Sequence, residues 1–527
     1  MLAKVESACL IGMEAAPVHV EVNLAKGLPY FSIVGLPDAS VREAKDRVVA
    51  AIRNAGFEFP SRRVTVNLAP ADLKKEGAFF DLAIAVGVLM ASEELVVRQW
   101  PRCIWLGELA LEGTLRPIRG ALPLARRLFQ KGWTELVLPT ANAEEVAYLK
   151  GLRVYPFSNL KDVGRWLSGE MPAPAAMHSK GWGRVAVPDG VDLSDIKGQA
   201  AGKRALEIAA AGGHNLLYVG CPGSGKSLLA QALPTLMPDW SLEEALDASQ
   251  VHSVSGQLNG SGLLTSRPYR APHHTISSVA LIGGGDMPMP GEISLAHRGV
   301  LFLDELPEFR RDALEALRQP LEDGQVHIRR VRGRATYPAQ CLLIAAMNPC
   351  PCGYRGHPKR ECVCPVSRIQ KYLSKVSGPF LDRIDLQVEI PALKVEELFA
   401  EDALPEPSEA VRARVERARA VQKERFGKKA PQVTNASLRG KDLKRYCGLD
   451  EEGKNLLKAA IERLGLSARA FDKIRKVSRT IADLDGSEGI QAKHIAEAIQ
   501  YRLLDKKSVI GSDLKPRSLD KGMIVNY

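Results

Sequence analysis

The eight residues GCPGSGKS, Gly220–Ser227, constrain this chain more than any other feature of its 527 residues. They fit G-x-x-x-x-G-K-[ST], follow the apolar run Leu216–Val219 and precede the helical text LLAQAL. A strand, a glycine-rich turn and a helix in that order form the context in which the pattern has a mechanism. Its glycines let backbone N–H groups close around phosphates at a helix N-terminus, where a partial positive charge adds to the attraction. The expected cradle is Gly220, Cys221, Pro222, Gly223, Ser224, Gly225, Lys226, Ser227 and Leu228, with Lys226 reaching the β/γ-phosphates of ATP and Ser227 holding Mg²⁺. Such a loop needs a second, acidic strand, and VLFLDE supplies one: Val300–Leu303 as the buried strand, Asp304 for the metal, Glu305 as general base for the attacking water. A third run, CLLIAAMN, ends in Asn348, where a polar side chain suits the gap between phosphate and acidic strand; a turn asparagine is the alternative.

The length implies three or four domains, each with its own interior. Residues 191–390 have short apolar runs bounded by glycine or polar residues (LLYVG, VLFLDE, CLLIAAMN), the texture of buried parallel strands alternating with helices. Upstream, Val18, Val20, Val22 and Leu24 alternate with polar residues as in a half-buried strand. Asp38–Gly56 has Ser40 and Glu43 in capping-box spacing, and Val64–Leu68 alternates again, so residues 1–168 form an α/β domain. LSGEMPAPAAMHSKGWG marks a linker over 169–190. Residues 391–527 turn to charged helical patterns, first Ser408–Phe426 and then three more segments to Leu504. The fold class is α/β, with a helical C-terminal part.

The formal charge of +11 and pI near 9.1 favour a polyanionic partner without identifying it. No run of about 18 apolar residues and no signal-like start are present, so a cytoplasmic protein with no membrane partner is expected. Of the 9 cysteines, four crowd into Cys350, Cys352, Cys362 and Cys364. Four thiolates suit tetrahedral Zn²⁺, although C-x-C pairs depart from the usual C-x₂-C knuckle; free or redox-active thiols are the alternative. His357 is a spare candidate ligand.

The texts GEISLAHRGVLFLDELPEF (291–309), LRQPLEDGQVHIRRVRGR (317–334), AAMNPCPCGY (345–354) and SGPFLDRIDL (377–386) resemble the ComM/YifB family of magnesium-chelatase-like AAA+ ATPases. The resemblance runs over essentially the whole chain. It implies an N-terminal Lon-protease-like α+β domain, a central AAA+ P-loop domain with inserted hairpins, and a C-terminal helical lid. It further implies a homohexameric ring with ATP between subunits, acting on single-stranded and branched DNA as a helicase or branch-migration motor in recombination during natural transformation, alongside a recombinase. Carried over residue by residue, Asn348 is the first sensor and Arg383, in LDRID, the finger that reaches the neighbour's γ-phosphate; an ordinary surface salt bridge is the alternative for Arg383. Arg469 in LSARAF is the second sensor, with Arg475 and Arg479 close enough in sequence to compete for the role.

Within that pattern Gly324–Ala339 corresponds to a hairpin before the sensor strand, and here it carries Arg329, Arg330, Arg332 and Arg334. Val326 and Ile328 suggest its ascending strand and Gly333 its bend, so a basic tip could track a phosphate backbone without reading bases; contacts to acidic neighbours in the ring are the alternative. A second insert, 253–286, offers Arg267, Arg270, His273 and His274 to DNA. Peptidase activity is not expected from a Lon-like domain here. Phe79 stands where the family's serine would, and GTLRPIRGALPLARR lacks the lysine base. The alternatives to a DNA motor are the ATPase subunit of a metal-chelatase complex and a nucleotide-gated scaffold. The set Lys226, Asp304, Glu305, Asn348 and Arg383 argues for turnover rather than for the scaffold.

Overall fold

The computed structural model describes residues 1–75, 77–98, 100, 102–175, 182, 190–258, 262–330, 333–393, 405–427 and 433–504. Val18, Val20, Val22 and Leu24 lie buried in the strand Glu14–Ala25. That strand pairs antiparallel with Leu2–Ile11 on one side and Arg63–Ala69 on the other, and Tyr30–Val34 joins Arg63–Ala69 in parallel at the edge. A parallel pair needs a crossover, which the helix Ala39–Asn54 supplies. Its cap is Asp38, whose carboxylate accepts the Val41 N–H at 2.8 Å, and not the Ser40/Glu43 box the spacing predicts. Asp38 has the extended backbone that an N-cap requires, and aspartate serves there as well as serine. The apolar helix Asp81–Ala91 is buried against this sheet, and a three-stranded parallel sheet (Ile104–Trp105, Glu135–Pro139, Arg153–Phe157) completes the N-terminal part.

The central sheet is five-stranded and wholly parallel, in the order Tyr269–Arg270, Val300–Leu303, Leu342–Met347, Leu216–Gly220, Leu386–Ile390. Strands covered on both faces must be apolar throughout, and Leu216–Gly220 and Val300–Leu303 are buried at every position. This order sets the ends of three chemically marked strands side by side. Ligands of such sheets bind at those carboxyl ends.

After Ser408–Phe426 come four helices, Gly440–Tyr446, Glu451–Leu464, Ala468–Leu484 and Ala492–Gln500, where the sequence pattern suggests three segments. Gly440–Tyr446 has only 7 residues, too few to display a helical period. These helices share a core with the sheet: Ala209, Leu229, Val415, Ile474 and Ile481 belong to one buried cluster. His214 ties the two parts together, with Nε2 2.8 Å from Thr480 Oγ1 and Nδ1 3.2 Å from Asp385.

The N-terminal part docks on the central one through a mixed core that includes Leu122, Leu136, Trp240, Leu246 and Leu263. Arg126 spans the junction, donating to Asp247 at 2.8 Å and Glu243 at 2.6 Å. No described helix is long and apolar enough to cross a membrane.

Candidate functional site

At the carboxyl end of Leu216–Gly220 the chain must turn sharply beside Leu386–Ile390. A Cβ on Gly220 would meet the Ile390 carbonyl oxygen at 2.4 Å, so only glycine passes. Gly223 (φ +77°) and Gly225 (φ +88°) take left-handed conformations, and no atom stands within 4 Å of where their Cβ atoms would be. The helix Lys226–Leu236 follows without a side-chain cap, so its first N–H groups face that open hollow. Lys226 donates to the carbonyls of Gly220 and Cys221, both at 2.8 Å, and lies 3.3 Å from Asn348 Oδ1. Burial pulls its pKa down and Asp304 opposes the shift. Gln199 Nε2 braces the loop by donating to the Ser224 carbonyl at 3.0 Å, while the buried Ser224 hydroxyl lacks a partner among the described residues. An uncapped helix, a hollow of bare glycines, an orphaned hydroxyl and a buried ammonium together fit a polyphosphate.

Asp304 and Ser227 meet beside this hollow: Ser227 Oγ donates to Asp304 Oδ2 at 2.8 Å. Two hard oxygens at that spacing suit Mg²⁺. The other Asp304 oxygen accepts the Glu305 N–H at 2.8 Å, which fixes the turn that starts there. Glu305 itself has φ +52°, an uncommon conformation for a non-glycine residue. Its carboxylate lies 3.2 Å from His274 Nδ1. Sequence reasoning did not connect these two residues, because 31 positions separate them. Asn348 follows the strand Leu342–Met347, whose Met347 is in register with Val219, and so comes to Lys226.

Arg383 and Arg469 lie elsewhere. Arg383 donates to the Arg318 carbonyl at 3.0 Å, to the Pro379 carbonyl at 2.5 Å and to Glu322 at 2.5 Å; none of these partners belongs to the phosphate loop. Arg469 bonds Asp382, the residue next to Arg383, at 3.2 Å and is otherwise exposed. Arg475 is held by the carbonyls of Leu443 and Cys447, and Arg479 by Asp483 and the carbonyls of Ser487 and Glu488. Among these three, only Arg469 presents its guanidinium to solvent.

Each of the two inserts departs from its expected form. In 253–286, Arg267 is largely covered, donating to the carbonyls of Pro238 (3.0 Å) and Arg298 (2.9 Å) and to Glu244 (3.4 Å), with Trp240 beneath it. Arg270 forms a two-point pair with Glu292 at 2.6 and 2.7 Å. Both guanidiniums are engaged within the fold, unlike what the sequence suggested for these two residues, whereas His273 stays exposed. The second hairpin pairs Gln325–Arg330 with Gly333–Pro338. Gly333 opens the descending strand opposite Arg330 instead of forming the bend. Val326, Ile328, Ala335 and Tyr337 point into the core, whereas the side chains of Arg329, Arg330 and Arg334 are exposed and join no described residue by a hydrogen bond or ion pair. Arg332 lies outside the described residues.

The four cysteine sulfurs lie within 4.8 Å of one another, with contacts of 3.3 Å (Cys350–Cys352), 3.5 Å (Cys362–Cys350) and 3.6 Å (Cys352–Cys362). A tetrahedron of sulfurs at the zinc bond length has edges of about 3.8 Å, so the cluster has the right size. His357 is turned away from it, its Nδ1 accepting the N–H groups of Lys359 and Arg360 at 3.1 Å each. This loop also roofs the phosphate turn: a Cβ on Gly353 would meet Pro222 Cδ at 2.7 Å.

Residues 192–398 match the family described as magnesium chelatase, subunit ChlI; residues 20–142 match subunit ChlI of Mg-chelatase; and residues 405–502 match the ChlI C-terminal family. The chain is 45% identical over 507 residues to the competence protein ComM of Haemophilus influenzae, covering 95% of this chain and 98% of that protein. It is 43% identical over 511 residues to the uncharacterized protein YifB of Escherichia coli, covering 96% and 98%. Similarity to the magnesium-chelatase 67 kDa subunit of Heliobacterium mobile is 28% over 293 residues, 48% of this chain and 41% of that subunit.

Proposed function

This chain belongs to the ComM/YifB family of magnesium-chelatase-like ATPases, and from that premise we propose that it is an ATP-driven motor that moves DNA, with a role in taking up donor DNA by recombination during transformation. The observation that carries the reading is the pairing of a polyphosphate hollow with an exposed, unpartnered arginine hairpin in one domain. Lys226 and the N–H groups of the glycine turn hold the phosphates, and Ser227 and Asp304 hold Mg²⁺. The metal, when bound, neutralises charge on the transferring phosphoryl group. Glu305 orients and deprotonates the attacking water, and Asn348 senses the γ-phosphate from beside Lys226.

Arg383 and Arg469 act on a neighbouring subunit's nucleotide. Their shared edge around Asp382, without a bond to their own phosphate loop, supports that reading. A guanidinium supplied across an interface makes hydrolysis depend on assembly, so the working form is a ring, in our reading a homohexamer in the cytoplasm. The N-terminal part serves as an inactive Lon-like platform, the C-terminal helices as the lid, and the cysteine cluster as a structural zinc site.

The deciding experiment measures ATP turnover with and without single-stranded and branched DNA, and strand displacement on forked, three- and four-stranded substrates. DNA-stimulated turnover and displacement are expected, and Glu305→Gln should keep nucleotide binding and assembly while losing both. Turnover raised by a chelatase partner but not by DNA would overturn the motor reading in favour of a chelatase subunit. Elemental analysis should find about one zinc per chain, lost in Cys362→Ser.

A further inference from the structure

We propose that the N-terminal part braces the arginine hairpin, and that Gly12 and Met13 are positioning residues that hold Arg329, Arg330 and Arg334 where single-stranded DNA meets them. The inference rests on reading that hairpin as the DNA contact. A two-stranded hairpin is marginally stable alone, so what its inner face packs on decides where its tip stands. Here that face, made of Val326, Ile328, Ala335 and Tyr337, lies in a buried cluster of the central part, and Leu10 and Met13 of the N-terminal part pack against the same cluster. The two-residue turn Gly12–Met13, between the strands Leu2–Ile11 and Glu14–Ala25, makes the close approach. A Cβ on Gly12 would meet Ala335 Cβ at 2.9 Å and Ala335 Cα at 3.1 Å, and would stand 3.6 Å from the Thr336 nitrogen. None of these atoms is on a side chain that can swing aside. Gly12 also has φ +63°, so glycine there answers both a left-handed turn and a tight contact.

The turn is held from behind. Arg127 donates through Nε to the Met13 carbonyl at 3.4 Å and pairs with Glu14 at 2.8 Å, and Lys131 donates to the Ala15 carbonyl at 2.6 Å. Arg127 lies in the helix Ala121–Gln130 and Lys131 caps it. That helix is itself locked to the central part. The Gly120 N–H donates to the Ser253 carbonyl at 3.0 Å, the Leu122 N–H donates to Ser253 Oγ at 3.4 Å, and Arg126 adds its pairs with Asp247 and Glu243. Leu10 joins the helix to the turn, because a Cβ on Gly120 would strike its Cδ2 at 2.5 Å. The hairpin is therefore gripped twice: within its own domain, where the Tyr337 hydroxyl donates to the Pro288 carbonyl at 2.7 Å, and by the N-terminal part at Ala335. Loosening the second grip leaves the ladder of Gln325–Arg330 with Gly333–Pro338 intact and lets its outer end move. Guanidiniums on a moving support must be ordered again when DNA binds, and that ordering costs affinity. None of the brace's bonds involves the phosphate loop, so the nucleotide site is untouched by its loss.

The test compares full-length wild type with Met13→Ala, Met13→Leu, Gly12→Ala, Arg127→Ala and the triple Ala variant of Arg329, Arg330 and Arg334. It reads single-stranded DNA affinity by anisotropy, DNA-free kcat and KM for ATP, amide hydrogen exchange over 325–338, and melting temperature. Met13→Ala and Gly12→Ala should each weaken DNA binding by about 5-fold or more, the lower end of ordinary coupling between sites, and Arg127→Ala by less. Hairpin exchange should speed up in all three, whereas DNA-free kcat and KM should stay within about twofold of wild type. Met13→Leu, which keeps the side-chain volume, should retain wild-type affinity. A general loss of structure in Met13→Ala would lower DNA-free turnover and melting temperature together, and that result overturns the positioning role. Faster exchange with unchanged DNA affinity overturns it as well, and unchanged hairpin exchange in both Met13→Ala and Arg127→Ala overturns the brace. A wild type that binds DNA no better than the triple variant overturns the hairpin as the DNA contact instead; hairpin exchange still reads the brace in that case.

Discussion

In the stretch 253–286, Arg267 and Arg270 turn inward to carbonyls and carboxylates, whereas in the hairpin Gln325–Pro338, Arg329, Arg330 and Arg334 stand in solvent with no bonded neighbour among the described residues. Both stretches are inserts on one sheet, both are basic, and both invite a DNA-binding reading. The difference lies in what lies beneath each guanidinium. Arg267 has Trp240 below it and Glu244 beside it, so its charge is spent on holding the insert to the body. On the hairpin the alternation buries Val326, Ile328, Ala335 and Tyr337 and leaves the arginines on the outer face, where a flexible cation gains little unless a phosphate arrives. Arginine density marks a candidate surface, and unspent hydrogen-bond donors single out the stronger candidate.

The largest expected effect breaks the comparison if it fails: replacing Arg329, Arg330 and Arg334 together by Ala should weaken single-stranded DNA binding on the order of 10³-fold at low salt and flatten its salt dependence. The melting temperature should barely move, because no described side-chain hydrogen bond or ion pair is lost. Anisotropy titrations across salt concentrations measure the first, and a thermal melt the second. The converse substitution, Arg267→Ala, should cost about 3 kcal/mol of stability by leaving the Pro238 and Arg298 carbonyls and one Glu244 oxygen without their donor, with chemical denaturation as the measure and DNA affinity per folded molecule preserved.

Third, the packing around His297 should be acid-labile. Burial, helped by the neighbouring Arg298, pushes His297 down to about 3, and its Nδ1 accepts the Gln340 N–H at 3.1 Å. A folded-state pKa below the unfolded value of about 6.5 means that this stabilisation is complete above pH 6.5 and is lost as pH falls toward 3, at up to about 1.4 kcal/mol per unit. Denaturation midpoints from pH 7 to 5 should fall in wild type and fall less in His297→Asn, which keeps an acceptor for the Gln340 N–H and cannot protonate. The smallest effect is expected of Arg270→Ala, at about 1–2 kcal/mol, since its pair with Glu292 is partly solvated. A loss in DNA affinity larger than its loss in stability would move Arg270 to the hairpin's side of the comparison.

The phosphate loop was legible in the sequence because its chemistry is local: Gly220 to Ser227 is one turn between one strand and one helix, and each glycine answers a backbone need. The acidic strand was legible for a similar reason, as Val300–Leu303 is apolar throughout and ends in Asp304. The meeting of Asp304 with Ser227 and of Asn348 with Lys226 needs the order of the sheet, which no local pattern contains. The fate of Arg267 was not legible either, because its partners Pro238, Glu244 and Arg298 come from both sides in sequence. His274 is the extreme case: a histidine pair in a polar stretch carries no signal until the strand Tyr269–Arg270 lies alongside Val300–Leu303 and brings it to Glu305.

By itself, then, the amino-acid order determined which strands are buried, where a polyphosphate can sit and which residue types could serve it, since propensity, periodicity and glycine stereochemistry act over a few positions. Only the tertiary structure decided which charges remain unspent, that the cysteine cluster lies over the phosphate turn, and which histidine meets the Glu305 carboxylate. Those outcomes depend on distances between segments far apart in the chain, and such distances are fixed by strand order and packing.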